Sequence, residues 1–149
     1  MNTKKDSLTK LFFDLVSIPS PTGKELKVSE FIKSYLDALG LESKYDKTGH
    51  LNGSNTNNLI VRLEGNAKKP FWLFTAHMDT VETGEEIIKP KIVNGTIVSS
   101  GDTILGADDK SSVAALMEVL EEVNKWELKP NIIVAFLTSE EKGIMGSSL

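Results

Sequence analysis

At 149 residues, 40% apolar and 26% charged, the chain has the size and balance of one soluble globular domain with a real hydrophobic core. Seventeen Lys and Arg against 21 Asp and Glu leave a net charge of −4, and the basic residues are scattered, which argues against nucleic acid or an anionic membrane as a partner. The absence of cysteine excludes disulfides and thiolate metal sites and suits a reducing cytoplasm.

The opening stretch "MNTKKDSLTKLFFDLVSI" has basic residues before an apolar run, but Asp14 interrupts that run and the apolar positions fall at helical spacing. It reads as a helix of the mature protein rather than a signal peptide. No apolar stretch approaches the length of a membrane span. Leu8, Leu11, Phe12, Leu15 and Val16 form the buried stripe of this helix, which stops before the "IPSP" turn. In "TGKE", Thr22 stands three residues before Glu25, the spacing of a reciprocal capping box. Val28, Phe31, Ile32, Tyr35, Leu36 and Leu39 then make the stripe of a second helix that ends at Gly40.

"LESKYD" reads as a short strand and "KTGHLNGSNTNN" as a mobile polar loop, since its Gly and Asn residues favour turns. "NLIVRLEG" and "FWLFTAH" are dense in apolar and β-favouring residues, as strands covered on both faces are. "IVNGTIV" is a hairpin, because Asn94-Gly95 supplies the positive φ angles of a two-residue turn. A third helix runs from Lys110 to Trp126 on Val113, Leu116, Met117 and Leu120, widened by Val119 and Val123, and "NIIVAFLT" is the last strand. Helices alternating with apolar strands predict an α/β fold: a largely parallel, mixed sheet with helices on its faces, and no internal domain boundary.

In open α/β sheets ligands bind beyond the carboxyl ends of strands. Three such ends carry chemistry: His77-Met78-Asp79 after "FWLFTA", Asp108-Asp109 after the hairpin, and Ser139-Glu140-Glu141 after "NIIVAFLT". Each has a bland reading taken alone. His77 could be a hydrogen-bonded structural residue, the aspartates a helix cap, and the glutamates first-turn acids that favour the helix dipole. Together they place an imidazole and several acids at one sheet edge, with Lys110 and Lys142 the only cations near them in sequence. Clustered carboxylates repel one another unless a cation joins them, and a metal ion supplies that cation. Nitrogen and oxygen donors without sulfur suit zinc, cobalt or manganese in a catalytic setting. The surplus of carboxylates points to two ions held about 3.5–4 Å apart by a bridging acid. One of the paired aspartates would be that bridge, and the other would shape the turn that aims it.

At these residues the sequence resembles a known family. "TAHMDTV", "GADDKSS" and "TSEEKGIMGS", in this order and near these spacings, are similar to the dinuclear zinc exopeptidases that include peptidase T, bacterial glutamate carboxypeptidase and aminoacylase. The similarity runs from "SIPSPTGKE" to the last residue, and "IVSSGDTILGADDK" is nearest the peptidase T-like tripeptidases. Residue by residue, the resemblance implies that His77 binds one zinc ion, Asp108 bridges both and Glu141 binds the other. It implies that Asp79 holds the imidazole from behind, that Glu140 is the general base acting on a water between the ions, and that the Asp108–Asp109 peptide bond is cis. Ser111-Ser112 replaces the small Ala-Gly-type residues usual at that point. Family members are longer, with a lid or dimerisation domain and further acidic and histidine ligands after this region. Residues 1–149 are therefore expected to be the N-terminal part of the catalytic domain, inactive alone, with "NIIVAFLT" lacking its cover where the chain stops at Leu149. An uncovered sheet would favour pairing of two copies, a possible homodimer. His50, the other histidine, reads as a solvated loop residue.

The activity implied is hydrolysis of short peptides by an aminopeptidase or tripeptidase. A rival with the same chemistry is an amidohydrolase that deacylates N-acyl amino acids. From a different class, the chain could be a metal-binding module without catalysis. A nucleotide-binding domain is disfavoured, because "TGKE" has no strand leading into it.

Overall fold

The computed structural model describes residues 3–66, 68–81 and 87–147. Ser148 and Leu149, the last two residues of the region of resemblance, and Met1-Asn2 of the first helical stretch lie outside the described residues. Helix α1 spans Thr3–Val16 and α2 spans Leu26–Ala38; β1 is Ser43–Tyr45, α3 the single turn Gly49–Asn52, β2 Leu59–Leu63 and β3 Trp72–His77. Strands β4 (Pro90–Val93) and β5 (Thr96–Ser99) follow, then α4 (Ala107–Asn124) and β6 (Ile132–Leu137), with a short 3₁₀ turn at Met145–Ser147.

The helical stripes pack as their spacing predicts. Leu11, Phe12, Leu15 and Val16 of α1, Val28, Ile32 and Leu36 of α2, and Val113, Ala114, Met117, Leu120 and Val123 of α4 share one buried cluster with Leu59, Val61, Leu63, Ile132, Val134 and Phe136 of the sheet. Leu8, expected in the stripe of α1, and Val119, expected to widen that of α4, are exposed instead. Burial alternates along β6, so Ile133, Ala135 and Leu137 face away from the helices and are only half-buried. The described helices thus cover one face of the sheet, not two.

The α/β class with a mixed sheet holds, but parallel pairing is the minority. The four strands lie in the order β1-β2-β6-β3, with β1–β2 and β2–β6 antiparallel and β3–β6 parallel. A parallel pair requires a long crossover, commonly a helix. α1 and α2 both precede the first strand, so α4, between β3 and β6, is the one long helix able to serve. β3 is consequently an edge strand, with Trp72 and Leu73 63% and 64% exposed, contrary to the expectation of cover on both faces.

The β4–β5 hairpin turns through Asn94 (φ 51°) and Gly95 (φ 80°), as its sequence requires. The capping box does not form. Thr22 Oγ1 donates to Asp79 instead, and the Glu25 carboxylate faces the interior, fully buried. The polar loop, expected to favour turns over regular structure, contains the helical turn α3, and Asn52, Asp46 and Asn58 bind it by side-chain hydrogen bonds to one another or to Thr138. No helix among the described residues is long and apolar enough to cross a membrane.

Candidate metal centre

Because β3 and β6 are parallel neighbours in the register His77↔Leu137, their carboxyl ends open at the same edge. The Met78 amide donates to the Leu137 carbonyl at 2.8 Å and locks the two exits together. His77 therefore emerges beside the turn that carries Glu140 and Glu141. One donor atom from each of these three residues lies within 4.8 Å of the others, a grouping able to hold a metal ion.

Asp108 joins from the start of α4. Its Oδ1 is 3.2 Å from His77 Nε2, and Glu140 Oε2 is 3.7 Å from the same nitrogen. The regular turns of α4 begin after the acids, since Asp108 and Asp109 have non-helical backbone angles and the bond between them is cis, as the resemblance implied. The Asp108 side chain is 88% exposed and points out of the packed domain.

Asp79 sits behind the imidazole, itself fully buried. His77 Nδ1 lies 3.0 Å from the Asp79 carbonyl and 3.4 Å from its Oδ1. The carboxylate also accepts the Glu140 amide at 3.0 Å, the Glu141 amide at 3.1 Å and the Thr22 hydroxyl at 2.8 Å. Burial favours the neutral forms of His77 and Asp79, yet their mutual contact outweighs it. His77 is pushed up to about 9, chiefly by Asp79, and Asp79 is held below the usual carboxylate range by His77 and the three donors. A contact that fixes one ring nitrogen sets the direction of the other, and here Nε2 points at Asp108 and Glu140.

The donor set fits a divalent cation. Burial and the charges of Asp108, Glu140 and Asp79 raise Glu141 above its ordinary value against the pull of His77, the signature of acids crowded without a neutralising partner. Neither lysine relieves the crowding. Lys110 is fully buried and donates to the Ile18 carbonyl at 2.6 Å, and Lys142 is exposed; among the described residues, these acids form ion pairs only with His77. His50 is exposed in its loop and outside the cluster. Sequence reasoning missed Thr22 as a partner of Asp79 and Lys110 as the tie between α4 and the Ile18 turn. Both bonds span more than 50 residues, and no local pattern announces such a pairing.

The sequence pattern of peptidase family M28 matches residues 58–149, a stretch that contains every residue of this cluster. The chain belongs to peptidase family M28. Among solved structures, this M28-family chain resembles aminopeptidase PepT from Bacillus cereus, at 36% identity and a TM-score of 0.88 over 97% of this chain and 39% of the other. It resembles a tripeptidase from Staphylococcus aureus nearly as well, at 34% identity and a TM-score of 0.87 over 96% and 39%. The Bacillus subtilis protein YXEP, described as a dinuclear metal binding peptidase from the M20 family, shares the fold at 19% identity and a TM-score of 0.63 over 95% and 37%. The chain spans about two fifths of the length of these proteins.

Proposed function

We propose that the chain supplies the metal-binding part of the active site of a zinc-dependent aminopeptidase that acts on tripeptides or other short peptides. The observation that carries this reading is the meeting of His77, Glu140 and Glu141 within 4.8 Å, with Asp108 beside the imidazole and, among the described residues, no lysine paired with these acids. The names of the PepT and tripeptidase structures, and their likeness over nearly the whole chain, support the substrate class.

In this reading His77 and Asp108 would hold one ion, and Asp108 and Glu141 the other. When bound, the pair supplies Lewis acidity for the scissile carbonyl and for a nucleophilic water. Zinc fits the donor types, and cobalt or manganese would also accept them. Glu140 is the general base: with its carboxylate at the mouth of the cluster, it takes a proton from the water and passes it to the leaving amine. Asp79 holds Nδ1 and so turns Nε2 toward the cluster, where a bound metal ion would take the place of a proton, and it fixes the backbone from which both glutamates project. A catalytic zinc ion commonly has three protein ligands, so in the whole protein each ion would take a further ligand from outside the residues named.

The test pairs a calorimetric zinc titration with hydrolysis assays on the whole protein. Two sites are expected, both lost together in Asp108→Ala. Glu140→Gln should retain zinc while kcat falls by about 10²–10⁴-fold. Release of an unblocked N-terminal residue from tripeptides, without action on N-acyl amino acids, supports the peptidase. The reverse preference would establish the amidohydrolase, and zinc binding without turnover of either class would leave a metal-binding module.

A further inference from the structure

Where the chain leaves β6, four consecutive backbone amides each donate to a side-chain oxygen from a distant segment. Asn58 Oδ1 takes the Thr138 amide at 2.9 Å, Glu25 Oε1 takes Ser139 at 3.1 Å, and the two oxygens of Asp79 take Glu140 and Glu141. Buried amides must find partners, and backbone ordinarily provides them. Here three side chains replace a strand. Asp79 belongs to the site already described; Glu25 touches none of the candidate metal ligands.

Glu25 is itself held from behind. Its Oε1 also accepts the Gly23 amide at 2.9 Å, its Oε2 accepts the Ser54 hydroxyl at 2.6 Å, and the residue is completely buried. The residue it grips is unusual: Ser139 has φ +56°, a left-handed backbone that L side chains disfavour. Such a conformation persists only where its surroundings dictate it. The next two side chains after Ser139 are Glu140 and Glu141, and their direction is set by that torsion.

We infer that Glu25 is a positioning residue for the Glu140–Glu141 pair, holding the Ser139 backbone in the left-handed conformation from which both acids converge on His77. Its consequence for catalysis rests on the peptidase reading above; its consequence for the Ser139 backbone does not. What the role requires is an acceptor oxygen at the Oε1 position, not a charge. Glutamine retains that oxygen, and the Ser54 hydroxyl can turn to accept from its amide. Methionine retains the volume and removes the acceptor.

The experiment compares Glu25→Gln, Glu25→Met and the milder Ser54→Ala in the whole protein. Peptide hydrolysis is followed below each variant's melting temperature, and amide hydrogen exchange is followed at Ser139, with Val61 in β2 as the control. Glu25→Met is expected to lose about 10–100-fold in kcat with little change in KM, and Ser139 should exchange faster while Val61 does not. Glu25→Gln should recover most of both losses, and Ser54→Ala should fall between; if Glu25→Met does not fold, the Gln and Ser54→Ala pair carries the comparison. A Glu25→Met protein that melts earlier but keeps the parent kcat and Ser139 protection would overturn the inference. So would Glu25→Gln as impaired as Glu25→Met. A parent protein that cleaves no peptide, yet shows the expected exchange pattern, refutes the peptidase reading and leaves the positioning role standing.

Discussion

Replacing Asp79 by asparagine keeps its shape and changes one acceptor oxygen into an amide NH₂ donor. In the parent, Oδ1 accepts from the Glu140 amide and Oδ2 from the Glu141 amide and the Thr22 hydroxyl. Whichever way the new amide is turned, its NH₂ meets one of those two backbone N–H groups. One charge-assisted hydrogen bond is lost and a buried donor is orphaned, a cost of about 3 kcal/mol. For a chain of this size that corresponds to about 6–12 °C in Tm. The pH profile gives a second reading on metal-free protein. The stability that Asp79 contributes is full above the ordinary aspartate value of about 3.9 and is lost as pH falls through its lowered native value. His77, raised to about 9, contributes stability that is full below about 6.5 and is lost as pH rises through about 9. Both limbs describe the same contact, so Asp79→Asn should flatten both, and the His77 ring should titrate well below 9 by NMR. A variant within about 0.5 kcal/mol of the parent in urea unfolding, with His77 titrating where it did before, would refute this account.

Lys110, lowered by burial from its ordinary 10.5 to about 8, should make the chain gain stability as pH rises between those values, on the order of 3 kcal/mol in all. Because the His77 contribution falls over the lower part of that range, the reading is the difference in urea midpoint between the parent and Lys110→Met, which should move in the parent's favour as pH rises. Gly146→Ala would place a methyl group 2.1 Å from the Thr138 carbonyl oxygen and 3.0 Å from Asn58 Oδ1, so the turn must shift; thermal melting should register about 2 kcal/mol or more of lost stability. The apolar edge formed by Trp72 and Leu73 should make the isolated chain self-associate. Sedimentation should show species larger than a monomer, reduced by Trp72→Lys with Leu73→Lys, and a monodisperse parent monomer would refute this.

What the sequence disclosed depended on the range of the interaction. Helix stripes and the Asn94-Gly95 turn are local: each follows from residues within four positions of one another, and the structure agrees with nearly all of them. The gathering of His77, Asp108, Glu140 and Glu141 was legible because each lies at the exit of a recognisable element, and a sheet brings such exits to one edge. Glu25 was misread for the opposite reason. Its spacing from Thr22 is that of a local cap, yet its carboxylate bonds to Ser139, 114 residues away. Asn52 and Asn58 looked like loop residues because polarity at a turn and polarity bound into a network have the same composition. Strand direction was obscured by counting helices without noting that α1 and α2 precede every strand.

The strand made last among those described, β6, lies in the middle of the sheet, between β2 and β3. On the ribosome, β2 and β3 emerge with a vacant lane between them, and each must wait more than 50 residues for its neighbour. Until β6 inserts, the helices have only a split platform beneath them, and the edges of β2 and β3 are open to other chains. Completion of the sheet and assembly of the acid cluster are therefore one event. Folding intermediates lacking β6 would lack this gathering of an imidazole and acids, which comes together only on a finished domain.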